Sequence, residues 1–396
     1  MSKYHGFSMY IAMVKGHLRR LPTGILVCSC LLALLGVMTL YSVAGMSFDP
    51  WAKKQILRFA FSFALLLAVT LVPLQTWLKY AYWIYGGMVL LLVVVFFIGH
   101  VGMGAQRWIN LGFMQLQPSE TMKIGLILAL AKYFHGVIPE ERKRFSFLMV
   151  ALLLVAIPFF LVAEQPDLGT AGIIFLSSIV IFFLSGVPMW IFVTAVLLAP
   201  LIGMIGWRYA LHGYQKQRVL TFLDPSRDPL GAGYHITQSK IAFGSGGLFG
   251  QGWGQGSQNR LDFIPERHTD FIFSVFAEEF GLMGTAFVLI LCLILVGYGY
   301  SIALSCRNQF GRLLCLGITS LFFMHVFINL GMITGIVPVV GVPFPLMSYG
   351  GTSMLTTMIG FGLICNVAIY RRDEIRRATL GARKSFFGTV YKFTNI

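Results

Sequence analysis

The apolar residues of this chain fall in long unbroken blocks, and its polar residues collect in the gaps between them. The blocks run to about 20 residues, the length of α-helix that crosses the ~30 Å hydrocarbon core of a bilayer. They are continuous rather than alternating, which excludes a membrane β-barrel. The pattern predicts an all-α polytopic membrane protein with about ten transmembrane helices. The first three are expected from about Thr23 to Ala44, Gln55 to Val72 and Tyr80 to Ile98. A fourth starts near Pro118, with Ser119 and Glu120 supplying its cap and dipole complement, and a fifth spans about Phe145 to Val162. The sixth ends near Leu184 and the seventh runs from Pro188 to Trp207. The last three run from Phe271 to Leu304, from Leu313 to Gly335, and on to Tyr370. Most gaps are short. The exception is one large loop, about 208–270, between the seventh and eighth helices.

Composition agrees with a membrane chain. The protein is 57% hydrophobic and 11% charged, with a mean hydropathy of +0.78, whereas soluble domains carry about 25% charged residues. In a soluble protein a net charge of +15 would suggest nucleic acid. Here the positive-inside rule explains it better, and no nucleic-acid partner is expected. Lys15, Arg19 and Arg20, the hairpin Arg142–Lys143–Arg144, Arg307 with Arg312, and Arg371, Arg372, Arg376 and Arg377 all fall on one face. That face is assigned to the cytoplasm, which puts both termini inside and the large loop outside the cell membrane. The chain then divides into a cytoplasmic segment 1–22, a transmembrane domain 23–370 and a basic cytoplasmic tail 371–396. The first helix is read as an uncleaved span rather than a signal peptide. The cysteines lie in apolar spans or beside cytoplasmic loops and none lies in the large loop, so no structural disulfide is expected.

Ionisable groups within such helices are costly and usually functional. Glu120 and Lys123 lie three apart, on one face of the fourth helix; the plain alternative is a self-neutralising ion pair. Glu164, Gln165 and Asp167 sit in the break AEQPDLGT, which is also good turn chemistry. Gln238, Ser239 and Lys240 mark an amphipathic segment of the large loop. The glycines from Gly244 to Gly256 lack the setting of a phosphate loop and predict a tightly turned segment near the membrane. Glu266, Arg267, His268 and Asp270 crowd the entry to the eighth helix, where Asp270 is either a helix cap or a general base. Arg107 lies on the same outer level. Glu278 and Glu279, further into that helix, have no assigned role.

The runs QPSETMK (117–123), EQPDLGT (164–170), DPLGAGYHITQSKIAFGSGG (228–247), PERHTDFIFSVFAEEFG (265–281) and PVVGVPFPLMSYGGTS (338–353) resemble the SEDS family of bacterial shape, elongation, division and sporulation proteins. The resemblance covers about Ile25 to Tyr370, and GYHITQSK, PERHTDF and PVVGVP are closer to its rod-shape elongation branch than to its division branch. It implies a peptidoglycan glycosyltransferase of the bacterial inner membrane that polymerises lipid II on the outer face, with a class B penicillin-binding protein and other elongation-complex proteins as partners. The family's essential aspartate falls on Asp270, its QPSExxK pair on Glu120 and Lys123, its QPDLGT aspartate on Asp167, and its GAQRW tryptophan on Trp108. An Arg-Gln pair usual at the start of the second helix is replaced here by Lys54-Gln55, which keeps the charge and loses the bidentate fork.

On this reading Asp270 takes the proton from the acceptor sugar's 4-hydroxyl. Lys123, Arg267, Lys54 and Arg107 meet the donor pyrophosphate, a groove takes the polyprenyl tail, and membrane lipids are among the protein's partners. Glu120 and Asp167 orient those cations or hold a divalent metal; oxygen ligands suit magnesium or manganese, and no spacing fixes one. The rivals are a lipid II flippase, which needs polar groups at the midplane or on both faces, a division-type polymerase, and a non-catalytic scaffold.

Overall fold

The protein is described from a computed structural model covering residues 20–102, 105–110, 115–138, 140–210, 213–224, 231–261, 263–264 and 266–373. The expectations placed on Lys15, Arg19, Pro265, the loop 225–230 and the tail from 374 lie outside the described residues.

The helices are α1 (Thr23–Val43), α2 (Ala52–Leu71), α3 (Leu74–Ile98), α4 (Pro118–Phe134), α5 (Phe145–Glu164), α6 (Leu168–Leu184) and α7 (Met189–Ile205). Three further helices, α8 (Gly213–Leu223), α9 (Ala232–Ser245) and the single turn α10 (Ser257–Arg260), lie within the segment read as the large loop. The long helices α11 (Ile272–Ser305), α12 (Gln309–Thr334) and α13 (Gly351–Ile369) follow. Among the described residues, eight helices are long and apolar enough to cross a membrane. One of the eight is α7 continued through a π turn, Met189–Tyr209, 21 residues in all; the other two of the expected ten, α4 and α6, have 17 residues each. At ~1.5 Å per residue each is about 26 Å long.

The shortness of α4 follows from its place. It packs against α3, α5, α6, α12 and α13, and every residue from Pro118 to Ala131 is buried. A helix enclosed by other helices needs no lipid-facing stripe, so it can carry Glu120 and Lys123. Its N-cap is Gln117, with no side-chain capping bond, and Pro118 is its first residue. The cap expected from Ser119 is therefore corrected, while Glu120 does fall in the first turn. The remaining contacts wrap the bundle: α13 runs along α2, α11 along α1 and α12, and α9 lies across α11 and α12.

Two features depart from the expected pattern. The gap between α3 and α4 forms an antiparallel ribbon of three short strands, β1 (His100–Gly102), β2 (Ala105–Asn110) and β3 (Gln115–Leu116). And the glycine-rich stretch after α9 is built onto α11 rather than hung as a free loop. At Gly281 (φ 63°, ψ −161°) α11 breaks its helical path. The carbonyls of Glu278 and Glu279 then accept N–H bonds from Gln251 (2.9 Å) and Gly252 (3.1 Å), and Leu282 and Met283 donate to Gly247 and Leu248. A side chain at Gly281 would stand 2.3 Å from the Gly250 nitrogen, so both its φ and its space require glycine. The tightly turned segment expected from the glycines is present.

Candidate active site

The segments singled out by sequence meet at one end of the bundle. Their centre is the turn Glu266–Phe271. Glu266 takes a positive φ of 52°, its carbonyl accepts the Thr269 N–H (3.0 Å), and its Oε2 accepts Thr269 Oγ1 (3.1 Å). Three other elements then hold the backbone. Tyr349 N–H donates to the His268 carbonyl (2.9 Å) and Ser348 Oγ to the Thr269 carbonyl (2.6 Å). Asn329 Nδ2, from α12, donates to the carbonyls of Asp270 (2.9 Å) and Val342 (2.6 Å). From α2, Gln55 Nε2 donates to the Ser348 carbonyl (2.9 Å), and the Trp51 ring stacks on His268 at 4.8 Å and 17°. Below the turn, Phe273 lies parallel to Phe344, centroids 4.7 Å apart.

This scaffold presents Asp270. The N-cap of α11 is Phe271, without a side-chain capping bond, so the cap reading of Asp270 does not apply. A Cβ at Gly341 would come within 3.5 Å of Asp270 Oδ2, which places the carboxyl against the 338–344 loop. Burial pushes its pKa up to about 7; the Glu266 and Asp167 carboxylates push the same way, and the Arg218 guanidinium opposes them. At neutral pH the group is therefore divided between carboxylate and acid, the condition of an effective general base. Burial also lowers the pKa of His268, so its ring is neutral at pH 7 and its role here is stacking.

Asp167 is the cap that Asp270 is not. It accepts Thr170 N–H (3.2 Å) and Thr170 Oγ1 (3.0 Å) at the start of α6, and Gln117 Nε2 at 3.1 Å. Arg107 on β2 grips the same corner: Nε donates to the Gln165 carbonyl (2.9 Å), Nη2 to the Pro166 carbonyl, and Nη1 lies 3.9 Å from Asp167 Oδ2. Gln165 is buried and turned to the Leu92 carbonyl (3.1 Å). Arg107 and Gln165 thus build the corner rather than present free groups. Trp108, next on β2, is half-buried.

Lys123 departs most from its expected place. Its side chain is fully buried, with Nζ 2.7 Å from Glu120 Oε1 and 2.8 Å from His325 Nε2. Such geometry is that of a neutralised pair inside the bundle, not of an outward cation. Glu120 and His325 also line a cavity of about 20 Å³ with Pro345, Thr356 and Phe361, room for about one water molecule and too small for a sugar. Arg267 Nη1 donates to the Asn259 carbonyl (2.6 Å), away from the Asp270 carboxyl. Lys54 and Lys240 are exposed, and Gln238 is half-buried on α9.

The sequence reading missed Arg218, which faces Asp270 from α8, and His325 and Asn329 on α12. A histidine and an asparagine four residues apart in an apolar helix share one face and were a legible signal. Arg218 carried none, since its approach depends on how α8 folds back. Among the described residues no group of three or more His, Cys, Asp or Glu side chains converges on a metal position, so no step below is routed through one.

A helical bundle with eight membrane-length apolar helices among the described residues defines a multi-pass membrane protein, and its buried polar cluster with a poised carboxyl on a braced turn is the candidate site. The FtsW/RodA/SpoVE family model, described as cell cycle protein, matches residues 22–373, and the chain belongs to this family. It is 42% identical over 354 residues to the peptidoglycan glycosyltransferase MrdB of Escherichia coli K12, covering 89% of this chain and 94% of the relative. Identity to the probable peptidoglycan glycosyltransferase FtsW of Aliivibrio salmonicida is 37%, over 75% of this chain and 74% of that one. The fold matches the crystal structure of the Thermus thermophilus rod shape determining protein RodA with a TM-score of 0.66 at 29% identity, covering 89% and 98% of the two chains. It also matches a chain from a structure on coordination of polymerization and crosslinking by a peptidoglycan synthase complex, at TM-score 0.77 and 32% identity over 89% and 99%.

Proposed function

We propose that this protein is a peptidoglycan glycosyltransferase of the rod-shape type, polymerising lipid II at the outer face of the bacterial inner membrane. The observation that carries the reading is Asp270, a carboxyl set near neutrality on a turn braced by α2, α12 and the 338–350 loop. In the reaction, the Asp270 carboxylate takes the proton of the acceptor sugar's 4-hydroxyl. The freed oxygen attacks the anomeric carbon of the donor, whose bond to the pyrophosphate oxygen breaks. One glycosidic bond forms, polyprenyl pyrophosphate leaves, and the displacement inverts the linkage from α to β. Leaving-group charge needs cations that are not already consumed by the protein. Lys54 and Lys240, both exposed, fit that need better than Lys123 or Arg267, while Arg218, also exposed, already donates through Nη1 to the Val339 carbonyl (3.4 Å).

The sidedness rests on charge. Arg142, Lys143, Arg144, Arg307 and Arg312 gather at the end opposite Asp270, which the positive-inside rule assigns to the cytoplasm with both termini. The synthase-complex relative supports a class B penicillin-binding protein as partner. The test is polymerisation of labelled lipid II by the purified protein with that partner. Wild type is expected to make long glycan strands, and Asp270→Asn to lose them by at least 100-fold, the low end of a general base's contribution. Equal rates would remove Asp270 from the chemistry. Lipid II flipping in proteoliposomes without polymerisation would favour the transporter instead.

A further inference from the structure

We propose that Arg58, with Lys54 one turn before it on α2, binds the phosphate of a membrane lipid beside the Glu266–Phe271 turn. The helix starts next to that turn, where Trp51 stacks on His268 at 4.8 Å. Lys54, Leu57, Arg58 and Phe61 follow the i, i+3, i+4, i+7 spacing of one helix face. Lys54 is exposed and Arg58 half-buried, while Leu57 and Phe61 are 64% and 54% exposed. The face thus carries two positive charges in the first two turns of α2, with bare apolar surface beside and beyond them. A lipid with an anionic head and an apolar tail has the complementary order.

Arg58 is the residue that needs the anion. Its guanidinium lies over the Tyr349 ring, 4.3 Å from the centroid. The ring engages only the flat face of the cation and leaves the N–H fork at its edge unused. Among the described residues Arg58 makes no hydrogen bond, and the ion pairs there are Arg107–Asp167 and Lys123–Glu120. A Cβ at Gly351 would come within 3.4 Å of its Nε, so its other neighbour is the first turn of α13, the positive end of that helix. An ionised side chain within a membrane span is costly unless it is paired. A phosphate supplies the missing charge, and its oxygens match the guanidinium fork. The plain alternative is a brace: Arg58 only holds Tyr349, whose N–H donates to the His268 carbonyl (2.9 Å). Two lipids carry the required chemistry, a polyprenyl pyrophosphate and an anionic phospholipid; the first source rests on the function proposed above, the second does not.

The test is native mass spectrometry of the purified full chain in detergent, titrated with polyprenyl pyrophosphate and with phosphatidylglycerol. Each probe is paired with its phosphate-free twin, polyprenol or diacylglycerol. Wild type should bind at least one phosphate lipid about 10-fold or more tighter than its twin, the weight of one charge-assisted hydrogen bond. Arg58→Gln should remove that preference and leave binding of the twin unchanged, and Arg58→Lys, which keeps the charge and loses the fork, should fall between. If Arg58→Gln is not recovered folded, Arg58→Lys and the exposed Lys54→Gln carry the test, each with the preference reduced several-fold. Tighter binding of the pyrophosphate than of phosphatidylglycerol assigns the site to the donor lipid, and the reverse assigns it to the phospholipid. No preference for phosphate in wild type, or an unchanged preference in the variants, overturns the site and leaves Arg58 as a brace. The readout is binding alone, so a chain that fails to polymerise lipid II can still show the preference, and the two readings fail separately.

Discussion

Asp270 owes its chemistry to three neighbours of known sign. Burial, Glu266 and Asp167 push its pKa up to about 7, and Arg218 pulls it back. Glu266→Gln should therefore move the acidic limb of the pH–rate profile to lower pH, and Arg218→Ala to higher pH, measured as kcat/KM. The same shift bears on stability. A carboxyl raised from 3.8 to about 7 favours the fold when protonated; its contribution is complete below the ordinary value and lost as pH rises through the folded one. Asp270→Asn should accordingly raise the melting temperature at pH 8 and change it far less at pH 4. Lys123 belongs to the opposite class. It is buried against Glu120 and His325, so Lys123→Met leaves an uncompensated carboxylate and should cost about 3–5 kcal/mol. Adding Glu120→Gln should recover much of that loss in an unfolding measurement. If the single variant unfolds like wild type, Lys123 is not the structural partner its geometry indicates.

Among the elements, the Glu266–Phe271 turn and the break in α11 depend on single residues. Asn329 holds two carbonyls, those of Asp270 and Val342. Asn329→Ala leaves both without that donor, at about 1–3 kcal/mol for each that stays unsatisfied. Because the turn then loses its register, kcat should fall more than KM rises. Gly281→Ala meets two obstacles, a positive φ and the Gly250 nitrogen. It should detach the glycine-rich segment from α11, seen as faster amide exchange at Gln251 and Gly252. The helices themselves were legible because a bilayer imposes a length and a continuity that soluble cores do not. Their starts were placed less well where polar residues are helical: α2 begins at Ala52 rather than Gln55 and α12 at Gln309 rather than Leu313. Inside the large loop no apolar block announces α8 or α10, and the β2 ribbon is too short for alternation to register.

Across the whole molecule, the sequence showed which segments come together better than it showed what their charged groups bind. The motifs around Asp270, Asp167 and Glu120 do converge, since each lies at a helix start or break near the same end of the bundle. What spacing does not reveal is which charged groups the protein consumes itself. Arg107, Arg267 and Lys123 all read as cations facing a substrate, and all three are bound to protein oxygens. Arg218, unremarked in the sequence, is the cation that acts on Asp270. Long-range pairing of this kind depends on how a loop folds back on the bundle.

The pH dependence of lipid II polymerisation, compared in wild type and Arg218→Ala, tests the role of Asp270 most directly. A base poised by burial predicts a kcat/KM that rises through an apparent pKa near 7 in wild type and a limb displaced to higher pH in the variant. A wild-type profile flat from pH 5.5 to 8.5, or a limb that Arg218→Ala leaves in place, would contradict the assignment of Asp270 as the base.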